Sequence, residues 1–350
     1  MATIDVAMLA FGGPGSAAEI GPFLEAMTGV APGPELLTAV ARRYEAIGGG
    51  SPLPEVTRRQ AAALQAAMVA ELGVAVRVQP GFLYSAPSVA DCLAGLDPRD
   101  TVVLPMSPYE SRLTSGAYRA ALAAAGRGEL TVVDGWYADR RYLAAVSHRV
   151  HEALDGADAS ELAVLFTAHS VPLETVAEGD PYVDQLQQAI AQLLPSLTPG
   201  DWRLAFQSKG RRGGAWLEPD AASAVRELAA AGWRDLVVVP LGFVADHLET
   251  LYDLDVELRA VAETCGMEFL RVPALNDAPP FVRALADIVI ERLARRPLTG
   301  PVDLGRGAPF GDGIVVGGIF GGGPFEGGPD GDGAPGAPPA EGPGSGTAGA

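Results

Sequence analysis

The chain has 350 residues and a net charge of −18, long enough for one large or two ordinary α/β domains. An acidic balance of this size argues against nonspecific binding to nucleic acid or to an anionic membrane. A hydrophobic content of 48% supplies a core, yet no stretch reaches the roughly 18 apolar residues of a membrane span. The N-terminus, from Met1 to Ala10, lacks a basic region and runs into glycines at once. It reads as a first strand and not as a signal peptide, which predicts a soluble, cytoplasmic protein.

Short apolar runs then alternate with helix-period segments as far as residue 297. The predicted strands are 6–10, 74–81, 101–105, 130–133, 162–168, 202–207, 236–240 and 268–272. Between them the spacing predicts helices over 17–27, 34–47, 55–72, 88–96, 116–125, 138–154, 181–194, 221–231, 247–265 and 280–295. Such alternation predicts parallel sheets covered on both faces. Eight strands over about 290 residues fit two doubly wound halves better than one sheet. The expected first lobe is 1–108 with a returning C-terminal helix in 273–298; the second is 109–272. Residues 301–350 hold 18 glycines and 8 prolines. They bury too little apolar surface to offset ordering entropy, so 299–350 is expected to be a disordered tail.

Two segments carry chemistry. His169 ends the apolar run 162–168, and in open α/β sheets functional groups project beyond the carboxyl ends of strands. A histidine capping its own loop is the bland alternative. The second segment follows the run 236–240. If its helix begins near Asp246, then Asp246, Glu249, Asp253 and Glu257 fall at spacings of three, four and four. That puts four carboxylates on one face, each like-charge pair costing about 0.2–0.5 kcal/mol when exposed. The arrangement reads either as a solvated acidic face or as a cation path toward a buried site. Oxygen and imidazole ligands together suit a divalent first-row metal such as Fe(II). The turn Phe11-Gly12-Gly13-Pro14 lacks the GxGxxG spacing, and Pro14 removes a donor that a phosphate cradle needs. Its glycines are expected to let a flat ligand approach the backbone. His148 and His151, three apart on a helix, read as surface residues. The two cysteines, Cys92 and Cys265, form no CxxC and do not suffice for a four-thiolate centre.

Taken with Arg43-Tyr44-Glu45-Ala46-Ile47-Gly48-Gly49-Gly50-Ser51-Pro52-Leu53, Ala168-His169-Ser170-Val171-Pro172, Gly179-Asp180-Pro181-Tyr182, Gln207-Ser208, Trp216-Leu217, the run Val239 to Glu249 and Asn276-Asp277, these segments resemble the ferrochelatase family in order and spacing. The resemblance implies a lyase with two Rossmann-like lobes that clamps a porphyrin and inserts Fe(II), its second substrate, in heme biosynthesis. It implies that His169 and Glu249 are the catalytic pair, sharing metal contact and removal of the pyrrole protons. Asp253 and Glu257 would continue the metal-binding line behind them. Arg43 would face a propionate, and Phe11, Tyr109, Ser111 and Tyr118 would line the macrocycle. A monomer with transient contacts to neighbouring heme-pathway enzymes is the expected state.

The chain departs from the family pattern at Met27-Thr28-Gly29-Val30-Ala31-Pro32-Gly33-Pro34, where basic residues are common. Phe11, unlike the tyrosine of some members, does not ligate a metal. No iron–sulfur cluster is expected, since Ser115 and its surroundings lack the cysteine found in cluster-bearing relatives. Coproporphyrin III is the leading expected substrate, because its four propionates keep it in water. Protoporphyrin IX is the alternative, and a tetrapyrrole carrier of weak activity is a reading of a different class.

Overall fold

A computed structural model of the chain describes residues 3–210 and 214–295. The expected tail, 299–350, lies outside the described residues. The first sheet contains β1 (Thr3–Ala10), β2 (Ala75–Phe82), β3 (Thr101–Pro105) and β4 (Thr131–Val132), in the order β2-β1-β3-β4. The second contains β5 (Ala163–His169), β6 (Asp201–Gln207), β7 (Asp235–Val239) and β8 (Glu268–Arg271), in the order β6-β5-β7-β8. Every pairing between these strands is parallel. The α/β class and the division of the strands into two parallel sheets are therefore as the alternation predicts. β4 pairs with β3, so the first sheet extends past residue 108, where the expected lobe boundary fell.

The central strands β1 and β5 are apolar along 6–10 and 163–166 because both faces are covered, as parallel sheets require. The helices that cover them are amphipathic. They include α1 (Ile20–Thr28), α2 (Pro34–Ala46), α3 (Leu53–Leu72), α4 (Val89–Leu93), α5 (Ser115–Ala124), α6 (Arg140–Leu154), α7 (Leu173–Ala177), α8 (Tyr182–Leu197) and α9 (Ala221–Ala230). After the widened helix described next come α10 (Arg259–Thr264) and α11 (Pro279–Ala294). Helix α11 packs on α3 and α6. Its Phe281 and Leu285 are fully buried in a core that runs from Val6 and Leu104 in the first sheet to Phe166 and Val239 in the second.

The segment expected as one α-helix over 247–265 is divided. Glu249–Leu258 is a π-helix, followed by α10. π-Turns are rare and concentrate at functional sites. Its start follows from local bonding: the His247 N–H donates to Thr250 Oγ1 at 3.0 Å, and the Asp246 N–H donates to Asn276 Oδ1 at 2.8 Å. Asp246 thus precedes the helix and is held by Arg271, Asn276 and Thr250, so it stands outside the acidic ladder.

The glycines after β1 serve protein contacts and not ligand approach. A Cβ on Gly12 would lie 2.2 Å from Ser85 Oγ, and one on Gly13 would lie 2.6 Å from Ser51 Cβ. A Cβ on Gly50 would meet the Gly15 carbonyl oxygen at 2.5 Å. Three loops meet here, and the missing side chains make room for one another.

Candidate active site

In each sheet the strand order reverses direction at its first strand, so the switch points lie between β1 and β3 and between β5 and β7. Ligands of open α/β sheets bind beyond the carboxyl ends of strands at such points. A cavity of about 190 Å³ lies there, bounded by both sheets. Ala10, Phe11 and Met106 close it from the first sheet; His169, the stretch 242–245, His247 and Glu249 close it from the second. Leu53, Thr57 and Gln60 of α3 complete one wall, and Trp216 and Pro172 another.

His169 is the last residue of β5, and Glu249 is the first of the π-helix. The imidazole Nδ1 lies 3.0 Å from Glu249 Oε2. The glutamate side chain is only 2% exposed and that of the histidine 20%. Gln207 donates to the Glu249 backbone carbonyl at 2.9 Å, fixing the start of the helix against β6. Burial alone would raise the Glu249 carboxyl. Its hydrogen bond and electrostatic attraction to His169, with Arg43 beyond, outweigh that and hold it below the ordinary carboxylate range.

His247 is a third titratable group on the cavity wall, its Nε2 3.9 Å from the same Glu249 oxygen and its ring 4.6 Å from that of Phe243. Burial lowers its pKa, against the opposing pull of Glu249 and Asp246, so the neutral ring is favoured. From sequence alone His247 has no role beyond its place in the run Val239 to Glu249. Its position between two acids, Asp246 and Glu249, was the available signal.

The other candidates divide. Phe11 lines the cavity, with its ring 4.7 Å from Tyr84 in an edge-on contact. Ser111 and Tyr118 also line it. Ser111 is anchored from behind, its Oγ donating to Asp180 Oδ2 at 3.1 Å while the Arg112 N–H donates to the same oxygen at 2.8 Å. Tyr109 does not reach the cavity; it is buried behind the wall, its ring stacked 6.0 Å from Tyr137 and edge-on to Tyr182.

Arg43 also differs from expectation. It is buried in an ion pair with Asp253, and its guanidinium stands 4.8 Å from the centroid of the Tyr252 ring. Asp253 also accepts from Ser208 Oγ. Its charge is therefore met by protein, whereas the ladder reading left it open to a cation. Glu257 is half-buried; desolvation raises its pKa and Arg43 partly opposes this. Among the described residues no three His, Cys, Asp or Glu side chains converge as a metal cluster. Of the four expected metal residues, only His169 and Glu249 face one another. His148 and His151 sit on α6, paired with Glu152 and with the Ser147 carbonyl.

An apolar cavity at two switch points, with one buried carboxylate beside an imidazole, is an arrangement suited to an apolar ligand and to proton exchange at the wall. The ferrochelatase family model matches residues 4–293. A ferrochelatase of Herpetosiphon aurantiacus is 34% identical over 296 residues, covering 81% of this chain and 97% of that one. One of Rippkaea orientalis is 37% identical over 271 residues, covering 73% and 69%. Among solved structures, that of CbiX, described as the terminal enzyme for biosynthesis of siroheme in denitrifying bacteria, aligns with a TM-score of 0.50 at 16% identity. It covers 82% of this chain and 98% of that one, a likeness of fold. The chain belongs to the ferrochelatase family, the lyases that insert a metal into a porphyrin in heme biosynthesis.

Proposed function

We propose that this enzyme inserts Fe(II) into coproporphyrin III, with Glu249 and His169 as its catalytic pair. The supporting observation is the buried Glu249 carboxylate, 3.0 Å from His169 Nδ1 at the wall of an otherwise apolar cavity. Insertion exchanges one Fe(II) for two pyrrole N–H protons. Each proton needs an acceptor within reach of the ring nitrogens, and a carboxylate poised beside a histidine is such an acceptor. Glu249 takes the first proton and passes it through the partly exposed His169 toward solvent; the freed carboxylate then takes the second. The apolar wall around Phe11, Leu53, Val244 and Trp216 excludes water and presses on the macrocycle faces.

Among the described residues, no Lys or Arg lines the cavity. Propionates would find no cationic partner among these residues, and we read them as pointing outward to solvent. That favours a macrocycle carrying propionates on all four rings, and its solubility allows delivery through water. No described helix is long and apolar enough to cross a membrane. A monomer acting in the cytoplasm, without an iron–sulfur cluster, remains our reading.

The test is anaerobic mixing of the protein and Fe(II) with coproporphyrin III or with protoporphyrin IX, following loss of free-base fluorescence. A higher kcat/KM for coproporphyrin III supports the proposal; a higher value for protoporphyrin IX reverses the choice of substrate. Tight binding without insertion of metal into either would make the chain a tetrapyrrole carrier.

A further inference from the structure

We infer that Asn276 is a positioning residue, clasping the two walls of the cavity so that Glu249 is aimed at His169. It lies in the loop between β8 and α11, outside the cavity lining, and makes four hydrogen bonds that converge from both sides. From the first wall, Gln60 of α3, which lines the cavity, donates its Nε2 to the Asn276 carbonyl at 2.8 Å. From the second, the Asn276 N–H donates to the Val244 carbonyl at 2.8 Å. Its side chain then grips Asp246 twice. Oδ1 accepts the Asp246 N–H at 2.8 Å, and Nδ2 donates to Asp246 Oδ2 at 2.7 Å. Only this orientation of the amide satisfies both bonds, since the reverse would set donor against donor and oxygen against carboxylate.

The residue also adopts φ 47°, in the left-handed region that favours glycine. Asparagine tolerates that region better than most residues. Glycine would hold the backbone equally well, but it would lose both bonds to Asp246. The side chain is therefore the feature that distinguishes this residue from a bare turn.

Asp246 is the root of the segment that carries the site. Its Oδ1 lies 3.1 Å from Thr250 Oγ1, and that hydroxyl accepts the His247 N–H at the start of the π-helix. His247 and Glu249 follow within three residues. Arg271 also holds Asp246, at 2.9 Å, from the opposite side of Asn276. Losing the amide leaves Asp246 tied to Arg271 alone among these side chains beyond its own helix start. Gln207 still holds the Glu249 carbonyl, but the Glu249 carboxylate gains freedom to swing from His169. Arg59 and Asp277 add an ion pair at 3.1 Å beside the clasp. Both of its side chains are over a third exposed, so it contributes little.

The inference rests on the reading of Glu249 as proton acceptor, and the experiment separates the two. Asn276→Gly keeps the φ and the backbone bonds and deletes only the side-chain grip. Asn276→Asp keeps the size but sets a second carboxylate against Asp246. Both are compared with Glu249→Gln in anaerobic Fe(II) insertion, with porphyrin affinity read by fluorescence and folding by thermal melts. Asn276→Gly is expected to lower kcat on the order of 10- to 100-fold, the range for a small misplacement of a reacting group. KM and porphyrin Kd should stay near those of the parent, and Asn276→Asp should be slower still. In the Glu249→Gln background, Asn276→Gly should add no further loss. If Glu249→Gln abolishes insertion while Asn276→Gly leaves kcat unchanged, the inference fails and the reading of Glu249 stands. If Glu249→Gln inserts metal at the parental rate, that reading fails and takes the inference with it. A loss of porphyrin binding or of melting temperature that accounts for the lower rate overturns a positioning role in favour of general support.

Discussion

Replacing Arg43 by leucine tests the most consequential difference between sequence and structure. The guanidinium and the Asp253 carboxylate are each about 7% exposed and paired only within the protein. Removing one partner of a buried pair costs about 3–5 kcal/mol, because the other charge is left in a poorly solvated site. Here Ser208 alone would remain to Asp253 among its hydrogen-bonding side chains. At roughly 2–4 °C per kcal/mol for a chain of this size, the melting temperature should fall by about 6–20 °C. Adding Asp253→Leu should restore much of the loss, since apolar replacement of both members of a buried pair is often neutral. Differential scanning calorimetry on the two variants and the parent gives the stability comparison. Porphyrin titration should give Arg43→Leu the parental Kd, because the side chain does not line the cavity. A variant of unchanged melting temperature and weakened porphyrin affinity would refute the argument and return Arg43 to the role of propionate partner.

Other outcomes follow from the same geometry. The Glu249 carboxyl is held below its ordinary value of 4.5, so the unfolded chain binds the proton first. Its contribution to stability is complete above that value and disappears as pH falls through the lower folded one. Glu249→Gln should make the acid limb of the melting temperature–pH curve shallower, and an unchanged limb would contradict the shift. Neutral, buried His247 lies below its ordinary 6.5 and has the same sign, with stability lost as pH falls from about 6.5 toward its folded value. His247→Leu should flatten that interval in the same measurement. Asp180→Ala leaves the Arg112 and Tyr182 N–H groups without their acceptor; it should cost about 2–4 kcal/mol by urea midpoint at unchanged m value. Gly50→Ala drives a Cβ into the Gly15 carbonyl; a loss of about 1–3 kcal/mol is expected, and a neutral result would mean the loops part freely.

Much of the fold was legible because the chain's local signals agree. Apolar runs of strand length alternate with amphipathic stretches, and their ends fall within a few residues of the observed elements. His169 was legible for the same reason: it closes a strand, and strand ends carry function. Its meeting with Glu249 joins residues 80 apart and followed from resemblance, not from spacing. What escaped the sequence depends on distant contacts or on the helix type. Arg43 and Asp253 are 210 residues apart, so no local pattern announces that they neutralise each other. The π-helix reads as α by periodicity, since both place residues four apart on neighbouring positions of one face. Its true start depends on Asn276, thirty residues beyond Asp246. Tyr109 lies near Ser111 in sequence, but packing against Tyr137 and Tyr182 turns it behind the wall. Gly12 and Gly13 read as space for a ligand because the side chains that fill that space, Ser85 and Ser51, come from elsewhere in the chain.

The most direct test of the account is to measure porphyrin binding and Fe(II) insertion side by side in the parent, His169→Ala and Glu249→Gln. A pair that accepts protons and receives metal predicts parental coproporphyrin III affinity in both variants, with insertion reduced to near the uncatalysed rate. Insertion at the parental rate in both would contradict the assignment and place the chemistry on another wall of the cavity.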